Sequence, residues 1–531
     1  MAKKRSVNVQ FPLKGENRRG AYAQTEAPYT TFRAKNVRGV DPLERRVRGG
    51  SRPGLAKYVD NDFGSVITAI QPLSYIDANG DIQHDFIVIC DGVVNIVSGS
   101  TVTATVARLV TEDGDYVITE DGSYIIFAST VPSVNPIGNT NAYQTCQSEG
   151  RAYIASSTLL EYNPLTGVVA TVANAPTSEP IVFPYDGRIV LTGQDHMFYM
   201  SKQGDFTNWD FGEDYRDISV AVAGFFGEDG VIGGTITFGA PYEDRAAVIA
   251  TTDDLWVIYG NPSAAGDGQK KNVSRDVGII APQAACITPD GLLVFLARTG
   301  LYTWQIGTEK EPEPFSEYVI PDDLRDIDPT AKEVILKYDS KTRGVHLFLT
   351  PSSGAGEHWY LDMDHRAMWP VVFGSNTHQP LAVAVFEQSG DSEIVLGCGD
   401  GYLRVFDNDA TTDDGTNIAS AVMFGPFHIS GQYAKTGQIV EMDADFADNS
   451  SSITWKLYVA STAEEVCDNV ETDLDGGTTT YLDQTGTWSE NHNIPNYPRS
   501  RGAWGVLWVA STGRWSFEAL KLIFTQAGRL R

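Results

Sequence analysis

Short apolar runs, some alternating with polar positions and some nearly continuous, recur along most of this 531-residue chain, each closed by a tight-turn pair. The clearest case is VGIIAPQAACITPDGLLVFLARTGLYTWQIG, from Val277 to Gly307. An apolar run ends in the turn Thr288 to Gly291, a buried run follows over 292–297, Arg298-Thr-Gly300 turns the chain again, and 301–306 alternates. This pattern predicts a three-stranded antiparallel meander. The same ingredients return at Asp91-Gly92, Asp121-Gly122, Glu149-Gly150, Asp186-Gly187, Asp253-Asp254 and Asp400-Gly401, each followed by a strand-like run. An acidic residue before Gly reaches the left-handed backbone of a two-residue hairpin at little cost, so each pair marks a turn. A unit of this size cannot bury both its faces alone and must stack on copies of itself. At about 40–50 residues per unit, residues 58–407 predict a β-propeller of about seven blades.

Departures from the pattern divide the chain further. TEDGDYVI at 111–118 and TEDGSYII at 119–126 form a tandem repeat whose carboxylates belong to turns facing solvent. Ser201 to Trp209, SKQGDFTNW, reads as a structural turn anchored by its aromatic residue. Residues 309–314 read as a Pro and Glu connector, and 408–415, NDATTDDG, as an exposed polar linker, since its carboxylates miss the spacing of a calcium loop. Beyond it, five alternating strands at 421–429, 439–446, 453–460, 504–510 and 515–524 predict a β-sandwich over 408–531. The stretch 461–497 reads as a long loop, a lid or an interaction surface.

Charge separates the N-terminal segment from the rest. Residues 1–57 hold 14 Lys and Arg against 4 Asp and Glu, whereas residues 58–531 hold 26 against 64, for a net charge of -28 overall. The segment lacks an alternating apolar pattern and is rich in turn formers, so it is expected to be an extended basic arm that takes its shape from a partner or from the body it wraps. Laid on a neighbouring subunit, Arg33, Arg38, Arg45, Arg46, Arg48 and Arg52 would pair there with acidic surface, and the arm would be dispensable for folding. The acidic remainder opposes general adhesion to nucleic acid or anionic membrane. The basic start is followed by no apolar segment of the kind a secretory signal carries, and no run has the length of a membrane span. Cys90, Cys146, Cys286, Cys398 and Cys467, widely spaced and odd in number, read as buried thiols of a reducing compartment.

No metal-ligand spacing, nucleophile elbow or phosphate loop is present in the sequence, so no catalytic residue, metal or cofactor is expected. His358 and His365 flank a strand and could meet Asp362 or Asp364, most simply as hydrogen-bonded residues beside a turn.

The opening FPLKGENRRGAYAQTEAPYTTFRAKNVRGVDPLERRVRGGSRPGL, the segment GDFTNWDFG, the 277–302 unit and the ending RGAWGVLWVASTGRWSFEALKLIF together resemble the tail hub or nozzle proteins of short-tailed bacteriophages, a family of virion β-propellers. The resemblance implies a homo-oligomeric ring, six-fold, below the portal and the adaptor of the head-tail connector. It implies tail fibre or spike and needle or plug proteins as further partners, and duplex DNA passing through the lumen without specific binding. The protein would then be a structural component of the virion, assembled in the host cytoplasm. The rival expectation is a carbohydrate-active propeller enzyme, a glycosidase or lyase, with two carboxylates converging over a pocket lined by Trp and Tyr.

Overall fold

The computed structural model describes residues 1–531 except 1–3, 21–28, 99–100, 105, 109–125, 129–142, 213–215, 229–230, 233, 264, 318, 321, 389–390, 432–434, 490–494 and 530–531. The tandem repeat lies outside the described residues apart from its last one, Ile126.

Three of the expected turn pairs have both residues left-handed, whereas at Asp400-Gly401 only the glycine is, with φ of 82°, and at Asp253-Asp254 neither. Asp91 and Gly92 have φ of 49° and 70°, Glu149 and Gly150 49° and 73°, and Asp186 and Gly187 45° and 68°. With both central residues left-handed, each is a primed turn whose twist matches that of the strands it joins. The chain is accordingly all-β, with many four-stranded antiparallel sheets. The first contains Ile67–Ile76, Ile82–Cys90, Val93–Ser98 and Thr101–Ala104; the second Thr145–Ser148, Arg151–Ala155, Leu159–Asn163 and Val168–Thr171. The third runs from Ile181–Tyr185 to Val222–Phe225 and the fourth from Phe238–Tyr242 to Gln269–Ser274. The fifth is the meander expected from sequence, Ala285–Ile287, Leu292–Ala297 and Gly300–Gln305. Glu313–Pro314 adds a fourth strand to it, where a connector was expected. The sixth contains Lys332–Asp339, Gly344–Pro351, His358–Asp362 and Ala367–Val371.

Each sheet is too thin to bury its apolar faces alone, and its neighbours cover them. First strands of successive sheets lie side by side from the first to the fourth and from the fifth to the seventh, and the seventh returns to the first. The fourth and fifth share a cluster containing Val248, Val257, Leu293 and Phe295, all fully buried. Burying such side chains contributes roughly 1.5–3 kcal/mol each.

The seventh sheet draws on both ends of the chain. Its strands Pro380–Gln388, Asp391–Cys398 and Leu403–Asp407 are completed by Gly54–Lys57, paired from Lys57 with Arg404 to Gly54 with Asp407. The basic segment thus takes its shape from the body of its own chain, one of the two outcomes expected for it. Lys4–Val9 pairs with Phe517–Arg529, Ala34–Lys35 with Ser420–His428, and Val37–Val40 with Val47–Ser51. Phe11, 3% exposed, packs between Trp369 and Phe517, and the φ of 82° at Gly49 lets the backbone pass where a Cβ would meet its ring at 2.2 Å.

All five C-terminal strands expected from sequence are present. Ser420–His428, Trp504–Ser511 and Ile453–Ala460 are neighbours in one five-stranded sheet; Phe517–Arg529 and Lys435–Phe446 are neighbours in a four-stranded one. Phe424, Leu507 and Val509 of the first share a hydrophobic cluster with Met442, Leu522 and Phe524 of the second. Two expectations are corrected here. The stretch 461–497 contains the helix Ala463–Asp475 and the strand Gln484–Trp488. Thr462 accepts from the Glu465 amide at 3.1 Å and Glu465 accepts from the Ser461 amide at 3.0 Å, so the two side chains share the capping of the helix start. Val466, Cys467 and Val470 then pack on Met423, Tyr458 and Trp508. The presumed linker at 408–415 is tied down as well: Thr412–Asp413 joins the seventh sheet through Leu55, and Asp413 is fully buried.

Candidate functional site

The basic residues gather where the N-terminal segment meets the sixth and seventh sheets. Arg52 is buried there because Gly54–Lys57 must enter the sheet, and its charge is matched by Asp413. Its Nη1 and Nη2 donate to Asp413 Oδ1 and Oδ2 at 2.8 and 2.5 Å, Nε donates to Asn36 Oδ1 at 3.0 Å, and Nη2 also donates to the Val372 carbonyl at 3.0 Å. Asp413 Oδ2 further accepts from the Gly374 amide at 2.8 Å. This fork joins four separate stretches of chain, and its planar, two-point geometry is one that Lys could not reproduce. Nearby, Arg404 donates to both oxygens of Asp400 at 2.6 and 2.8 Å and to Asp414 at 2.8 Å.

The other expected contact arginines divide into two groups. Arg48 pairs with Asp41 at 2.9 Å and with Glu518. Arg33 pairs with Asp475 and lies 4.0 Å from Glu471. Arg38 is 4% exposed, its Cζ 4.0 Å from the centre of the Tyr360 ring. Arg33, Arg38, Arg48 and Arg52 therefore act within their own chain, which corrects their assignment to a neighbouring subunit. Arg18 with Asp323 at 2.7 Å adds a further ion pair between segment and body. Arg45 and Arg46, in the turn between Val37–Val40 and Val47–Ser51, are exposed; Arg46 pairs with Glu44 at 2.7 Å.

A cavity of about 290 Å³ lies at this junction, lined by Arg38, Tyr360, Phe406, Asp339, Asp362 and Asp364, among others. Burial pushes Asp339 upward, but the nearby His346, 3.7 Å away, and donation from Thr342 at 2.7 Å outweigh it and hold the carboxyl down at about 2. Asp362 accepts from His365 Nδ1 at 2.9 Å, the carboxylate partner foreseen for that histidine. His358 is buried, accepts from the Leu349 amide at 3.2 Å and donates to Gln379 Oε1 at 3.2 Å; burial lowers it to about 3 and keeps it neutral. Two carboxyls elsewhere are pushed up to about 7 by burial: Glu16, which accepts from Arg18 and the Ala34 amide, and Glu179, which accepts from the Gln194 amide.

The sequence reading missed Asp413, Tyr360, Phe406 and Asp339. Asp413 stands among Asp407, Asp409 and Asp414, and nothing in its local pattern separates the buried carboxylate from its more accessible neighbours. The other three are ordinary strand residues whose convergence is purely tertiary. Ser201 to Trp209 is the structural turn it was read as: Trp209 is 4% exposed and donates to the Phe206 carbonyl at 3.0 Å. All five cysteines are free, four buried and Cys286 partly so. Among the described residues no helix is long and apolar enough to cross a membrane.

No family model matches the sequence, and no curated protein matches it. Similar solved structures include the extracellular domain of the hybrid two component system protein BT4673 from B. thetaiotaomicron, at 10% identity over 76% of this chain and 45% of that one, with a TM-score of 0.42. The chain thus spans less than half the length of that protein. Others are U3-55K, at 10% identity over 67% of this chain and 99% of that one, and the WD40 repeats of RRP9, at 11% over 67% and 99%, both with TM-scores of 0.39. At such identities and scores, nothing about function passes from these proteins to this chain.

Proposed function

We propose that this chain is a structural virion protein of a tailed bacteriophage, a subunit of a ring-shaped nozzle or hub that retains and then conducts the genome. In this reading the seven sheets form one closed propeller and the two C-terminal sheets a β-sandwich. The observation that carries it is the way the N-terminal segment is built into both units: Gly54–Lys57 completes the seventh sheet while Lys4–Val9 and Ala34–Lys35 extend the two C-terminal sheets. One chain so cross-tied resists being pulled apart, as a conduit under load must. The net charge of -28 supports a lumen past which duplex DNA slides without adhering. The adaptor of the head-tail connector above, and fibre or spike and plug proteins below, are the proposed partners.

The test is electron microscopy of the purified full chain together with mass spectrometry of purified virions of the phage encoding it. Rings in the first and this chain among the tail proteins in the second are expected. A chain absent from the virions would overturn the proposal.

A further inference from the structure

The geometry points to the junction cavity as a binding site for a small organic carboxylate, with Arg38 as the group that receives it. Arg38 lies on Val37–Val40 and is 4% exposed, yet its Nε and Nη2 are buried without a hydrogen-bond partner. A guanidinium stays charged at any ordinary pH; the pull of Asp339 and Asp362 offsets part of the cost of burying it, but neither accepts from those two donors. The rings of Tyr360 and Phe406, with centroids 4.0 and 5.4 Å from its Cζ, attract the cation but accept none of its N–H donors in the plane of the guanidinium.

The carboxylates nearby already have donors. Asp339 accepts from the Lys341 amide at 2.9 Å and from Thr342 Oγ1 at 2.7 Å, Asp362 from the His365 amide at 3.1 Å and its Nδ1 at 2.9 Å, and Asp41 from Arg48 at 2.9 Å. Asp364 lies 3.4 Å from Arg343. Of the cations around the cavity, Lys341 pairs with Glu393 at 2.9 Å, outside the lining, while Arg45 and Arg343 are exposed. Arg38 is left as the buried charge whose donors are unmet.

Shape and charge narrow the ligand. Pro42, Pro53, Tyr360 and Phe406 give the cavity apolar walls, suited to a flat hydrocarbon body. The acidic residues that also line it repel a dianion, so a single carboxylate is favoured over phosphate. A carboxylate on one aromatic ring satisfies both conditions and is small enough for the volume of about 290 Å³.

Calorimetric titration of the full chain with benzoate, benzamide and inorganic phosphate tests this. Saturable one-to-one binding of benzoate is expected, with benzamide and phosphate at least roughly tenfold weaker and Arg38→Met reducing benzoate affinity by a similar factor. Should Arg38→Met fail to fold, Val40→Cys decides the matter. Val40 lines the cavity and is 38% exposed, so a bulky maleimide there closes it, and benzoate binding should disappear. Equal affinity for benzoate and benzamide, tighter binding of phosphate, or benzoate binding that survives the maleimide block would each overturn the assignment.

Discussion

A buried ion pair is more fragile than its close contacts suggest. Arg52 and Asp413 are both fully buried, and removing either partner leaves the other a buried charge without its counterion. Asp413→Ala or Arg52→Met alone should lower unfolding free energy by about 3–5 kcal/mol, whereas the double variant Arg52→Met/Asp413→Leu should recover most of it. Urea denaturation of the three variants measures this; equal loss in single and double variants would mean that the fork contributes no coupling. Glu179 makes the opposite case, a buried carboxyl whose raised pKa reflects the cost of burying its charge. With a folded pKa of about 7 against 4.5 as the reference, its neutral form is the one the fold favours. Its contribution is therefore fully present below about pH 4.5 and is lost as pH rises through about 7. Glu179→Gln should be near neutral at pH 5 and stabilising by on the order of 2 kcal/mol at pH 8, read from melting curves at the two pH values. A stabilisation independent of pH would show that the effect is one of packing. None of these buried polar residues could be picked out in the sequence, because a charge buried by distant elements looks locally like a charge in water.

At the scale of elements, what was legible had a local cause. Asp186-Gly187 and its kin specify their own turns, and Leu292–Ala297 its own burial, so the strands and the sheet units could be read in order. The helix Ala463–Asp475 was legible too, in the Thr462-Ala-Glu-Glu465 start and the apolar spacing of Val466 and Val470, but the Asp, Gly and Thr content of the surrounding stretch obscured it. Gly54–Lys57 was not legible, since four residues of weak pattern become a strand only when Leu403–Asp407 offers its open edge some 350 residues later. Deleting residues 1–57 should therefore leave that edge bare and the core without Phe11 and Leu55, both buried, giving an aggregating chain of reduced solubility. A synthetic peptide of residues 30–57 should restore part of the solubility by pairing in trans. Size-exclusion chromatography of the truncated chain with and without peptide checks both outcomes; a soluble, cooperatively folding truncation would mean that the seventh sheet stands on three strands.

For the whole molecule, charge bears directly on assembly. Arg18, Arg33, Arg48 and Arg52 have acidic partners within their own chain, so they do not supply the attraction between subunits that a free basic arm would have. In the proposed ring, neighbouring subunits would present to each other bodies of net charge -28, which repel. A ring of the proposed kind must then be held by apolar and shape-matched contacts, with electrostatics opposing them. Screening shortens the reach of that repulsion from about 30 Å at 0.01 M ionic strength to about 8 Å at 0.15 M. Subunit association should accordingly strengthen as salt is raised over this range, as followed by sedimentation velocity at fixed protein concentration. An interface built on arginine-carboxylate pairs predicts the reverse, dissociation with added salt. Replacing Arg45 and Arg46, the exposed pair at the hairpin turn, by Glu separates the two further. Little effect on association is expected where apolar contacts hold the ring, and its loss would return the hairpin to a role between subunits.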